Sequence, residues 1–262
     1  MYKEKIERHG ASKRTGYKVF GEGDNLIGIE LELDKFEVEN QDEFKEQLAQ
    51  VLFTSPYKNH YFVERDGSLR NGMEVVTQPH SIDEMRKFLN EGLKEILHQL
   101  VKVGAEDFSK FAGIHFHISR ALFGKNHEEQ CEPIWKLWYF MSQNDDIFLK
   151  IGRRTNRMTC RFPKPKMSIT SAKEKTKKEI HPLTRGVTKY QAINLKHSTT
   201  VEFRTFQTTT NIELLTIWTE LIWHLANKST TISEEDVNKW DVWFNGAPQL
   251  VLDYVNQYRE VK

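Results

Sequence analysis

The sequence predicts a protein of the α+β class. Three observations carry that expectation: strict apolar and polar alternation over 27–34 and 111–119, apolar residues at 3.6-residue spacing over 41–53 and after residue 211, and a turn-rich connection over 66–72 that joins two strands as a hairpin. A chain of 262 residues can bury a substantial core, and its simplest division is a basic arm over 1–20 followed by one domain over 21–262. With 38 Lys plus Arg against 37 Asp plus Glu, the net charge of +1 gives no global attraction for nucleic acid or for an acidic surface. The two cysteines, Cys131 and Cys160, sit in no metal-binding or redox spacing and fit a reducing compartment. No apolar run approaches 18 residues and no signal-peptide pattern opens the chain, so a soluble, cytoplasmic protein with neither membrane nor nucleic acid as partner is expected.

The arm holds Lys3, Lys5, Arg8, Lys13, Arg14 and Lys18 with little periodicity. The strand at 27–34 sends Ile27, Ile29, Leu31 and Leu33 to the core and Glu30, Glu32 and Asp34 to the opposite face, successive carboxylate positions lying roughly 6.5 Å apart. Acidic residues are poor strand formers, so three on one face either stand in solvent or face a cation. Over 41–53, Phe44, Leu48, Val51 and Leu52 mark an amphipathic helix that covers the sheet. Strands at 61–65 and 73–77 flank the turn, which is bracketed by Asp66 and Glu74. Asp66 also reads as a turn former beside Gly67, and Glu74 as an exposed strand residue.

Ser81 and Glu84 form a capping box ahead of one long helix carrying Met85, Phe88, Leu89, Leu93, Ile96, Leu97 and Leu100. The strand at 111–119 sets Ile114, Phe116 and Ile118 on one side and His115 and His117 on the other, where both imidazoles can approach one ion or one phosphate. A helix over 135–151 packs Trp135, Trp138, Tyr139 and Phe140 in the core. Arg153, Arg154, Arg157 and Arg161 are then concentrated over 152–162, and guanidinium forks suit phosphate and carboxylate. The Lys-rich, Pro-broken segment 164–178 reads as a surface loop or as a lid over an anionic ligand. Strands at 190–195 and 200–208 follow, the second with Glu202, Arg204 and Phe206 on one face and Val201 and Phe203 on the other; Glu202 and Arg204 could also simply pair with each other. Asn211 caps a helix through about residue 226, lined by Leu214, Leu215, Trp218, Leu221, Ile222 and Leu225, and Ser233 and Gln249 open two shorter helices.

The polar strand faces thus offer Glu30, Glu32, Asp66, Glu74, His115 and Glu202, with arginines at 153, 154, 157 and 204. Carboxylates with one imidazole suit Mg²⁺ or Mn²⁺, and arginines complement the charge handled in phosphoryl transfer. Neither a P-loop nor a Gly-x-Gly-x-x-Gly sequence occurs, so backbone amides of those loops are not available to hold phosphates.

Four motifs in order, Gly-Ile-Glu-Leu-Glu at 28–32, Asp-Gly-Ser-Leu at 66–69 followed by Gly-Met-Glu-Val-Val at 72–76, Gly-Ile-His-Phe-His at 113–117 and Val-Glu-Phe-Arg at 201–204, make residues 26–227 resemble the glutamine synthetase and glutamate-cysteine ligase superfamily. The likeness is to its amidoligase branch, which includes phage and bacterial members. The resemblance implies a glutamine-synthetase-like α+β fold: a curved, mainly antiparallel sheet with helices packed on one face and the active site on the polar concave face. It implies ATP with Mg²⁺ or Mn²⁺ as cofactors. In it Glu30, His115 and Glu202 hold the metal that bridges the transferred phosphate, and Glu32, Asp66 and Glu74 hold one or two others. His117, Arg157 and Asn194 fall to the nucleotide, while Arg204 stabilises the moving phosphoryl group or binds the substrate carboxylate. Arg153 and Arg154, with Asn156, match an anion site after a helix, and Tyr190 belongs to the strand before the last motif. The implied reaction joins a carboxylate, of an amino acid or a peptide, to an amine through an acyl phosphate. A metal-dependent hydrolase or phosphatase with the same ligands, and a non-catalytic anion-binding relative, remain open readings, and the oligomeric state is not indicated.

Overall fold

In the computed structural model, residues 2, 5–8, 16–34, 39–67, 69, 71–109, 112–154, 160–162 and 191–259 are described. Arg157, Asn156, Tyr190 and the 164–178 segment lie outside the described residues. Strands and helices alternate irregularly and the principal strand pairs are antiparallel, so the chain is an α+β protein. Its contacts divide it into two compact units, Met1–His115 with Gln207–Thr216, and Phe116–Phe206 with Ile217–Lys262.

In the first unit β1 (Glu7–Arg8), β2 (Ile27–Leu33), β3 (Tyr61–Arg65), β4 (Met73–Thr77) and β5 (Gly113–Ser119, through His115 in this unit) run in the order β1-β3-β4-β2-β5. β3 and β4 form the expected hairpin, β2 pairs antiparallel with β4, and β1 lies parallel to β3. Alternation decides what is buried: Ile27, Ile29, Leu31 and Leu33 of β2 are all inaccessible. Helix α1 (Gln41–Thr54) is capped by Asn40, whose side chain accepts from the amides of Asp42 and Glu43. The Tyr61 hydroxyl donates to the Leu52 carbonyl at 2.7 Å, tying β3 to α1, and burial pushes that phenol up to about 12.

Ser81 accepts from the Glu84 amide as the capping pattern requires. The long helix expected after it runs over 82–102 as α2 (Ile82–Lys87), a π-helical stretch Phe88–Leu93 and α3 (Lys94–Lys102), with helical backbone kept at both junctions. Within that stretch Gly92 leaves room for Tyr57, since a Cβ there would stand 2.8 Å from the tyrosine ring.

The second unit takes the remainder of β5, with α4 (His127–Gln143), α5 (Asp145–Ile151), β6 (Ile193–Asn194), β7 (Thr200–Gln207, through Phe206 in this unit), α6 (Ile212–Thr231, from Ile217 in this unit), α7 (Trp240–Phe244) and α8 (Gln249–Arg259). Its strands order β5-β7-β6. The helix expected over 135–151 is two helices: Asn144 ends α4 by donating its side-chain amide to the Phe140 carbonyl at 2.9 Å, while its own carbonyl accepts from Ile147 and Phe148. Phe206 departs from the face expected for it beside Glu202 and Arg204; it meets Phe116 edge-on at 5.0 Å and lies 5.0 Å from Trp218. Ser233 closes a turn with Asp236 rather than opening a helix. No helix among the described residues is long and apolar enough to cross a membrane.

Candidate metal centre

Strand register brings the acids of the first unit into rows. Glu32 stands opposite Glu74 across β2 and β4, and Glu74 stands opposite Glu64 across β4 and β3. Directly opposed residues share a face with Cβ atoms about 5 Å apart, so three carboxylates line one row. All three are buried, at 6%, 2% and 1% exposure for Glu32, Glu74 and Glu64. The adjacent row is Glu30, Val76 and Phe62. Asp66 follows directly on β3, and from β5 the His115 ring places Nδ1 3.2 Å from Glu30 Oε2 and Nε2 3.7 Å from Glu32 Oε1.

Two sets of ligand atoms result. Glu30, Glu74 and His115 each offer one atom, all within 4.8 Å of one another, and so do Glu32, Asp66 and Glu74. Glu74 belongs to both. Exposed acids often gather without a metal, but burying carboxylates side by side is costly unless positive charge compensates them. A donor set of carboxylate oxygens with one imidazole fits hard divalent ions, Mg²⁺ or Mn²⁺, better than a thiolate-seeking metal.

The chain holds this arrangement from behind. Gly72 lets the start of β4 lie against β2, because a Cβ there would collide with the Leu33 carbonyl. Asp34, expected on the acidic face with Glu30 and Glu32, turns out to be a buried acceptor: its Oδ1 takes the Asn71 amide at 3.0 Å and its Oδ2 the Ser109 hydroxyl at 3.3 Å. That ties the end of β2 to the turn between β3 and β4. The Gly113 amide donates to Glu32 Oε2 at 2.5 Å and the Thr208 hydroxyl to the Glu32 carbonyl at 2.5 Å, which fixes the carboxylate's position from both ends of the residue.

In the second unit Glu202 is buried at 2% exposure with donors on both oxygens. Oε2 accepts from Asn194 Nδ2 at 2.6 Å and from His197 Nε2 at 2.8 Å, and Oε1 from Arg204 Nη1 at 2.5 Å. The anticipated Glu202 and Arg204 pair is therefore present, inside a larger network that reaches Asn194. His117 Nδ1 lies 3.2 Å from the Thr200 hydroxyl, and its ring meets His197 edge-on at 5.4 Å. Arg154 is buried and donates to the Phe206 carbonyl at 2.9 Å, linking the end of α5 to β7; Arg153, at φ 55°, makes the left-handed turn that aims it there. Two participants escaped the sequence reading. Glu64 shares strand parity with Asp66, a signal that was present, whereas His197 lies in a connection with no periodicity to mark it.

The chain matches no family model, and no curated protein matches it. What defines the molecule is an α+β framework whose first unit gathers buried and half-buried carboxylates with one histidine into two overlapping sets able to hold a metal ion.

Proposed function

We propose that this chain is an ATP-dependent carboxylate-amine ligase using Mg²⁺ or Mn²⁺, built on a glutamine-synthetase-like sheet. The observation that carries the reading is the pair of ligand sets that share Glu74. Bound divalent ions supply charge neutralisation for the phosphates of ATP and for the phosphoryl group in transit. Glu30, Glu74 and His115 would hold one ion, and Glu32, Asp66 and Glu74 the other; the resemblance would add Glu202 as a further ligand. Glu202 also orients Arg204, whose guanidinium is suited to a phosphoryl group or a substrate carboxylate, and His117 and Asn194 serve the nucleotide. An acyl phosphate made this way needs no protein nucleophile, and the amine of the second substrate displaces phosphate from it. Amino acids and peptides are the expected acids. Cys131 and Cys160 are both buried.

One observation also favours a second reading, since two ligand sets with a shared carboxylate would equally suit two ions that activate water for phosphoester hydrolysis. Hydroxylamine separates the two. Offered with ATP, Mg²⁺ and a panel of amino acids and peptides, it traps an acyl phosphate as a hydroxamate with ADP released in equal amount. Metal-dependent cleavage of simple phosphoesters, with no ATP-dependent hydroxamate from any acid, overturns the ligase.

A further inference from the structure

Beside the carboxylate row the first unit carries an aromatic corner that the metal centre does not use. Glu30 opposes Val76 and Val76 opposes Phe62, so these three side chains leave the sheet on the same face as the ligands. Phe62 is half-buried, and over it stands Tyr17, 44% exposed, with the ring centroids 6.1 Å apart and the planes at 82°. Tyr17 is not on a loose end. Lys18 donates its amide to Gln78 Oε1 at 2.9 Å, Phe20 donates to the Pro79 carbonyl and accepts from the Ser81 amide, and the Phe20 ring stacks on His60 at 4.0 Å. A partly exposed tyrosine is thus carried on backbone anchored at successive points.

We propose that Tyr17 and Phe62, floored by Val76, form the ledge on which the base of the nucleotide stacks. This rests on the ligase reading and adds a subsite to it. Phe62 is two strands from Glu30 along one row, about 10 Å at normal strand spacing, so one molecule with a polyanionic end at the carboxylates and a flat apolar end at the ledge reaches both. Two rings set at right angles offer a face and an edge together, a surface that complements another flat ring. Any base has a π-face, so such a ledge secures the nucleotide without reading hydrogen-bond pattern.

The test compares ATP with inorganic tripolyphosphate, which carries the charge without the base, by calorimetry in the presence of Mg²⁺ on the wild-type chain, Tyr17→Ala and Phe62→Leu. The leucine keeps apolar bulk in the sheet, and Tyr17 is exposed enough to be removed without opening the core. Wild type is expected to bind ATP more tightly than tripolyphosphate, and each variant to lose about tenfold in ATP affinity with tripolyphosphate affinity unchanged. If wild type binds both equally, if the variants keep full ATP affinity, or if they lose both ligands alike, the ledge is overturned while the ligase stands. If wild type binds neither, the ligase reading falls and the ledge with it.

Discussion

Glu74 shows most sharply how one residue decides between readings. Alone in the sequence it could be any exposed strand acid, yet it is buried, opposes Glu32 on one side and Glu64 on the other, and serves both ligand sets. Glu74→Gln is nearly isosteric and removes a charge flanked by like charges. The metal-free variant should therefore melt no lower than wild type, while Mn²⁺ affinity falls by more than the roughly 10- to 100-fold that loss of an outer partner costs. Titration followed by electron paramagnetic resonance, with a thermal melt alongside, checks both halves; a large drop in melting temperature with unchanged Mn²⁺ binding would make Glu74 structural. Arg204 allows a parallel comparison, because Arg204→Lys keeps a charge near Glu202 but loses the planar fork. Hydroxamate formation should drop in that variant with the melting temperature nearly unchanged, and full turnover by the lysine would remove Arg204 from the chemistry.

At the scale of elements, the hairpin of β3 and β4 was legible to the residue because turn-forming composition separates two short runs of strand formers. Breaks inside helices were not. The π-helical stretch has Tyr57 close beside Gly92, and the end of α4 has an asparagine side chain turned back onto its own helix; neither interrupts the apolar periodicity. Close backbone approach is likewise invisible until strands are paired. Gly72→Ala should cost about 1–3 kcal/mol or more, measured by chemical denaturation, because the opposing atom is a backbone carbonyl that cannot swing aside. Another element-scale device pins the segment before β2: His60 Nδ1 and His80 Nε2 lie 3.0 Å apart, sandwiched between Phe20 and Phe88. Burial lowers both histidines, His80 to about 4 against the Gln78 carbonyl, and for His60 Glu84 pulls upward while Lys87 pushes further down. As pH falls below about 6.5 the unfolded chain takes up a proton that native His80 refuses, so stability declines between pH 6.5 and about 4, by about 3 kcal/mol in all. Denaturation at a series of pH values should show that slope, and His80→Asn should flatten it; an equal slope in the variant would assign the loss to other groups.

For the whole molecule, the proposed metal centre makes stability depend on a divalent ion, because an ion held by the acids of the first unit would bind the folded chain and not the unfolded one. Mg²⁺ or Mn²⁺ at a hundred times its dissociation constant should add about 2.7 kcal/mol to the stability of the folded chain, and chelation should remove it; a melting temperature indifferent to both would count against the metal centre. By itself the sequence determined the α+β class, the parity that puts Ile29 and Leu31 in the core with Glu30 and Glu32 opposite, and the residue types able to bind a hard cation, because alternation and donor chemistry are properties of neighbours along the chain. Only the tertiary structure decided that Asp34 accepts from Asn71 and Ser109, that Glu64 joins the carboxylate row, that Phe206 turns to Phe116 and Trp218, and that His197 shares Glu202 with Arg204. The reason is contact: alternation along one segment gives the face each residue is on, whereas which side chains meet there is settled only when separate segments pair and pack.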